Sequence, residues 1–197
     1  LLTEKNIQDL LTKLEALQEG DILVLAGSIP ASLPKTLYSD LTKMFSNRGV
    51  KVVVDAGGSV LAEVLQEKPF LVKPNHHELS ELFGVSINTV EEVIPFGKKV
   101  VEMGAENVIV SMAGDGALLF TNGKVYSATV PKGKVLNSDG AGDSLGAGFI
   151  GTYSKDQDFM KAFQIAVATG SGTAFSQDLA TKEKIDSLLN QVTVKEI

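Results

Sequence analysis

The segment NSDGAGDSLGAGF (137–149) places glycines and aspartates just before residues with helical spacing. The first amides of a helix lack intrahelical partners and carry partial positive charge. Because small residues let a ligand approach the backbone, Gly140, Ala141 and Gly142 form a candidate phosphate-binding turn. The helix dipole stabilises the carboxylate of Asp143, which is predicted to accept a proton from an incoming hydroxyl. The alternative is a capping aspartate beside a tight glycine turn.

A second candidate site lies in KPNHHELSELFG (73–84), at a predicted junction between a strand and a helix. Asn75 and Glu78 are three residues apart, so an amide oxygen and a carboxylate can face the same site. Magnesium prefers a few such oxygens together with water and substrate phosphates. The same spacing fits a capping box equally well. His76 and His77 are predicted to be surface residues that point in different directions, not metal ligands.

A third candidate element is SMAGDGALL (111–119), which joins one predicted strand to the next. Ser111, Gly114 and Gly116 could contact the phosphates or ribose of a nucleotide. The alternative interpretation is a simple turn between two strands.

Strands and helices alternate along most of the chain. Short apolar runs predict buried strands at 21–27, 51–56, 70–75 and 107–114. Helices are predicted at about 1–20, 34–47, 58–67, 77–84, 89–103, 141–153, 157–176 and 181–190. Asn122-Gly123 predicts a hairpin within 116–130. The pattern indicates an α/β fold, with a doubly wound, mostly parallel sheet covered by helices on both faces and ligands at the carboxyl ends of its strands.

Composition narrows the class of protein further. The 197 residues are 44% hydrophobic, which predicts one α/β domain spanning 1–197. The net charge of −6 argues against nucleic acid or an anionic membrane as a partner. The chain has no cysteine for disulfides or thiolate metal sites, and no apolar run long enough to span a membrane. We therefore expect a soluble, cytoplasmic protein.

Taken together, the three motifs resemble the phosphofructokinase B family of carbohydrate kinases, which have the ribokinase-like fold and use ATP and Mg²⁺. The resemblance covers essentially the whole chain, and 137–149 is its most specific part. The resemblance implies that Asp143 is the catalytic base and that the amides of Gly140, Ala141, Gly142 and Asp143 form the anion hole. It implies that Asn75 and Glu78 bind magnesium through water. It also implies that the nucleotide is bound by Ser111, Gly114, Gly116 and Ala117, and that the adenine pocket is bordered by Ala168, Gly170, Ser171 and Thr173. The family usually has an uncharged residue where this chain has Asp139, so we expect Asp139 to point to solvent or to a basic neighbour.

Within the family, GSIP (27–30) and PFLVKPNHHEL (69–79) are most similar to kinases that phosphorylate fructose 1-phosphate to fructose 1,6-bisphosphate. Tagatose-6-phosphate kinase activity is the alternative. The family's N-terminal strands, with the acceptor-binding aspartate, the diglycine sugar clamp and the β-sheet lid, have no match here. We therefore expect a fragment of a longer kinase, corresponding to its C-terminal nucleotide-binding part, with little activity alone and a homodimer possible only for the intact enzyme.

Two other classes of function stay open. A non-catalytic nucleotide-binding module would bind ATP without transferring phosphate. A dinucleotide binder is disfavoured, because the glycine-rich turn comes late in the chain and lacks the acidic ribose-binding residue about 20 positions further on.

Overall fold

A computed structural model describes residues 3–197, which build one seven-stranded sheet with the strand order β1-β2-β3-β4-β5-β6-β7. The strands are β1 (Ile22–Ala26), β2 (Lys51–Asp55), β3 (Leu71–Val72), β4 (Asn107–Ser111), β5 (Ala117–Thr121), β6 (Lys124–Ala128) and β7 (Val194–Glu196). The α-helices are α1 (Glu4–Leu14), α2 (Leu37–Ser46), α3 (Gly58–Leu65), α4 (His76–Phe83), α5 (Val90–Glu102), α6 (Ala141–Asp156), α7 (Phe159–Ala174) and α8 (Lys182–Leu189). None of these described helices is both long and apolar enough to cross a membrane.

The first four strands are parallel, and helices cover both of their faces. Val52 and Val54 of β2 pack toward one helical layer, whereas Val53 between them packs toward the other. Successive side chains of a strand point to opposite faces, so a strand buried on both faces is apolar throughout. This explains why these strands read as continuous apolar runs.

The second half of the sheet is antiparallel. The predicted hairpin joins β5 to β6 at Asn122 and Gly123, whose φ angles of 51° and 74° suit a tight hairpin turn. The C-terminal strand β7 then pairs with β6. The α/β fold with parallel strands, an attached antiparallel hairpin and helices on both faces is as predicted, and β7 adds a further antiparallel pair.

Helices α6 and α7 pack closely because small residues line their contact. A Cβ atom at Gly148 of α6 would lie 2.7 Å from Thr169 Oγ1 of α7. A Cβ atom at Gly170 of α7 would lie 3.0 Å from the carbonyl oxygen of Ala141. This packing fixes the first turn of α6 above the sheet.

Helix α1 and strands β3 and β7 differ most from the prediction. Helix α1 ends at Leu14 rather than near Gly20, although Leu17 still packs on the core. Strand β3 has two residues of the six predicted, because the chain turns at Pro74 toward α4. Strand β7 had no predicted counterpart, since three residues are too few to show an alternating pattern.

Gly97 offers a test of core packing. It is buried in α5, and a Cβ atom there would lie 2.1 Å from Cζ of Phe120, a side chain that is 2% exposed. Overpacking outweighs the better helix propensity of alanine, so Gly97→Ala should lower the free energy of unfolding by about 1–3 kcal/mol. The control Gly151→Ala, in open space on α6, should raise it by up to about 1 kcal/mol. Urea denaturation of the full-length variants measures both, and equal stabilities would contradict the prediction.

Candidate active site

Polar residues meet where the parallel strands end. Asp55 is the last residue of β2, and Lys73 follows β3. Lys73 Nζ lies 3.0 Å from Asp55 Oδ2, and the two side chains are 7% and 21% exposed. Asn75 forms a parallel bridge with Ser111 at the end of β4. The motifs predicted around 75 and 111 are therefore neighbours at the carboxyl edge of the sheet.

Tyr38 of α2 holds the end of the adjacent strand β1. Its hydroxyl group donates to the carbonyl oxygens of Ala26 and Gly27, at 2.7 and 3.2 Å. Burial raises the pKa of Tyr38, and the nearby charge of Asp55 raises it further. Tyr38 thus remains a hydrogen-bond donor at neutral pH.

The N-terminus of α6 presents open backbone amides. Gly140 precedes the helix with a φ of 74°, in the left-handed region that favours glycine. Because glycine has no side chain, no side-chain oxygen caps the first amides of the helix. The Ala141 amide donates to the Ser138 carbonyl oxygen at 3.2 Å, so this member of the predicted anion hole is engaged. Within residues 3–197, no acceptor pairs with the amides of Gly140, Gly142 or Asp143. The Asp143 side chain lies exposed in the same turn.

Lys73 lies along this open helix end, and sequence analysis assigned it no role. A Cβ atom at Gly142 would be 3.4 Å from Lys73 Nζ, and one at Gly146 would be 3.4 Å from Lys73 Cε. A buried ammonium group beside the positive end of a helix is unfavourable without negative partners. Asp55 supplies one such partner, and an anion held by the free amides would supply another.

Asn75 and Glu78 form the capping box that sequence analysis gave as an alternative. Asn75 Oδ1 accepts from the amides of His77 and Glu78, both at 2.9 Å. Glu78 Oε2 accepts from the Asn75 amide at 2.8 Å. The other carboxylate oxygen, Oε1, lies beside Gly57, where a Cβ atom would approach it to 3.0 Å.

These residues fit the hydration preferences of magnesium. Residues 3–197 contain no group of three or more His, Cys, Asp or Glu side chains that could hold a metal ion by themselves. The Asn75 side-chain oxygen is already committed to the cap, so Glu78 Oε1 is the group with free lone pairs. A single carboxylate oxygen suits an ion that keeps most of its water ligands.

The two histidines differ from expectation. His76 is partly buried and His77 is exposed, but their ring centroids are only 3.9 Å apart, so the prediction that they point in different directions is wrong. The surface position of His77 agrees with the prediction.

The four residues predicted to bind the nucleotide lie in and beside the turn after β4, and they differ in exposure. Ser111 is half-buried and Gly114 is exposed, so both have room for a ligand. Gly116 has a φ of 106°, and a Cβ atom there would lie 2.3 Å from the Ala128 carbonyl oxygen. Gly116 and the buried Ala117 therefore shape the turn into β5, and contact with a nucleotide remains a prediction for all four residues.

The predicted adenine-pocket residues lie on α7. Ala168, Gly170 and Thr173 are buried, and Ser171 is half-buried. The hydroxyl group of Thr173 is engaged within the protein: it donates to Ser144 Oγ at 2.9 Å and accepts from the Ala180 amide at 3.1 Å. Of the four, Ser171 is the most exposed, and its contact with adenine remains a prediction.

Asp139 lies exposed in the loop before α6, as expected. Its amide donates to Asn137 Oδ1 at 3.0 Å, and none of the ion pairs among the described residues includes its side chain. We therefore predict that Asp139→Val leaves the affinity for ATP unchanged or makes it tighter, because a negative charge near the phosphates is removed. Calorimetric titration with ATP and magnesium measures the change, and a marked loss of affinity would show that the carboxylate is needed.

Comparison with known proteins identifies the class. The model of the pfkB family carbohydrate kinases matches residues 2–185, and the chain belongs to this family. The mixed seven-stranded sheet with helices on both faces is its ribokinase-like fold.

Individual relatives are similar over nearly the whole chain. The 1-phosphofructokinase of Bacillus subtilis is 52% identical and matches 98% of this chain and 64% of its own length. The D-tagatose-1-phosphate kinase of Bacillus licheniformis is 34% identical, with the same coverage of 98% and 64%. Phosphofructokinase-2 from Escherichia coli, solved in complex with substrates and products, superposes with a TM-score of 0.89 at 25% identity, over 96% of this chain and 63% of that one. The chain thus spans just under two thirds of the length of these relatives.

Proposed function

We propose that residues 3–197 form the nucleotide-binding and catalytic part of a kinase that transfers the terminal phosphoryl group of ATP to fructose 1-phosphate, giving fructose 1,6-bisphosphate. One observation carries the proposal: the Lys73 ammonium group lies beside the first turn of α6, the turn that carries both the open amides and Asp143. The similarity to the Bacillus subtilis 1-phosphofructokinase favours fructose 1-phosphate as the acceptor.

The residues divide the chemistry between them. The amides of Gly140, Gly142 and Asp143, with Lys73, stabilise negative charge on the phosphoryl group during transfer. Asp143 accepts the proton of the attacking sugar hydroxyl group as the new O–P bond forms and the bond to ADP breaks. The proton then passes to water. Magnesium, when bound, neutralises phosphate charge, and Glu78 would hold it through water.

The test is an assay of the full-length protein that couples ADP release to an optical signal. Fructose 1-phosphate, fructose 6-phosphate, tagatose 1-phosphate and tagatose 6-phosphate are compared as acceptors. We expect the highest kcat/KM with fructose 1-phosphate. A preference for a tagatose phosphate would replace the proposed acceptor, and ATP binding without transfer to any acceptor would indicate a non-catalytic nucleotide-binding protein.

A further inference from the structure

We infer that Thr173 is a positioning residue for the nucleotide site and acts through the segment 176–180 and the first turn of α6. This inference rests on the proposed function. Thr173 is 2% exposed, so its side chain cannot reach a ligand directly. Its hydroxyl group nevertheless joins two structures that border the anion hole.

The first link runs to α6. Thr173 Oγ1 donates to Ser144 Oγ at 2.9 Å, and Ser144 directly follows Asp143. The Ser144 amide in turn donates to the Gly140 carbonyl oxygen at 2.8 Å, within the turn that carries the open amides. The hydroxyl group of Thr173 is thus two hydrogen bonds from the residue that opens the anion hole.

The second link runs to the segment after α7. The Ala180 amide donates to Thr173 Oγ1 at 3.1 Å, and the Ala180 Cβ lies where a Cβ atom at Gly172 would approach it to 3.0 Å. These contacts fold the segment 176–180 back over the site. Leu179, which is 64% exposed, consequently lies beside Gly140, with its Cδ2 atom 3.4 Å from where a Cβ atom there would be.

One buried hydroxyl group therefore sets the position of two walls of the site. Replacing it with a methyl group leaves the Ala180 amide without its acceptor and Ser144 without its donor. A buried polar group that loses its partner favours rearrangement. We expect the segment 176–180 to detach from α7, Leu179 to move away from Gly140, and the anion hole to lose its fixed geometry.

The test compares Thr173→Val and Thr173→Ser in the full-length protein, with Thr169→Val as the matched control. Thr169 lies one turn earlier on α7, and its hydroxyl group bonds only to the Ile165 carbonyl oxygen of the same helix. We expect Thr173→Val, which loses both hydrogen bonds, to weaken ATP binding about tenfold, because part of the binding free energy is then used to restore the geometry of the site. Thr173→Ser should restore affinity to within about twofold of the unchanged protein, and Thr169→Val should bind like it.

Hydrogen exchange provides a readout that does not depend on activity. Amides of 176–180 should exchange faster in Thr173→Val, and ATP should no longer protect them. ATP affinity like that of the unchanged protein in Thr173→Val would overturn the inference, as would equal losses in Thr173→Ser or in Thr169→Val. If the unchanged protein itself fails to bind ATP, the proposed function fails instead, so the two failures are distinguishable.

Discussion

Asp143→Asn in the full-length protein should lower turnover with fructose 1-phosphate by about 10²- to 10⁴-fold, the usual effect of losing a general base. Asparagine has nearly the same size and keeps the backbone amides of α6 in place, so the anion hole is retained. What disappears is the acceptor for the proton of the sugar hydroxyl group. ATP affinity should therefore stay within a few-fold of its original value, as measured by calorimetry beside the kinetic assay.

Asp139→Asn is the matched control for this experiment. Asp139 belongs to the same glycine-rich segment and is also exposed, but it precedes the helix and has no role in proton transfer. Its variant should retain turnover. Near-normal turnover in Asp143→Asn would show that another residue is the base. A loss of ATP binding as large as the loss of turnover would show that Asp143 acts in binding.

The fold could be predicted where burial leaves a local pattern. Strands covered on both faces are apolar throughout, as β2 shows, and the hairpin at Asn122 and Gly123 is encoded in the turn itself. The pattern fails where pairing is decided by distant partners. Strand β7 exists because β6 offers an edge, and nothing within Val194–Glu196 indicates it.

In the candidate site, too, the features encoded by local sequence could be predicted, and those that depend on tertiary contacts could not. The open amides around Gly142 follow from a glycine-rich helix start, which is a local feature. Lys73 was missed because a lysine after an apolar strand looks like an ordinary solvated strand end. Its role depends on contact with α6, about 70 positions further along the chain, and only the tertiary structure provides that contact.

Glu78 shows a different limit of sequence reasoning. A capping box and a metal site both fit the three-residue spacing of Asn75 and Glu78, so the sequence alone does not distinguish them. The structure shows that capping uses Oε2 alone and leaves Oε1 free beside Gly57. Because a carboxylate has two oxygens, the hydrogen bond to Oε2 holds the group in place while Oε1 stays available to a metal-bound water.

Lys73→Met should lower both the turnover and the free energy of unfolding of the full-length protein. Removing one hydrogen-bond donor that stabilises the charge of the transition state typically lowers kcat by about 10²- to 10³-fold. Methionine fills similar space but leaves the partly buried Asp55 without its cation. The lost charged hydrogen bond should lower the free energy of unfolding by about 1.5–3 kcal/mol. Steady-state kinetics with fructose 1-phosphate and urea denaturation measure the two effects.

Lys124→Met separates the role of Lys73 from the loss of any lysine ion pair. Lys124 Nζ lies 2.9 Å from Glu196 Oε2, but the two side chains are 52% and 53% exposed. An exposed pair of this kind contributes less than about 1 kcal/mol, so this variant should keep both stability and turnover. If Lys73→Met lost stability but kept its turnover, Lys73 would serve only to neutralise Asp55, and stabilisation of the phosphoryl group would fall to the amides of α6 alone.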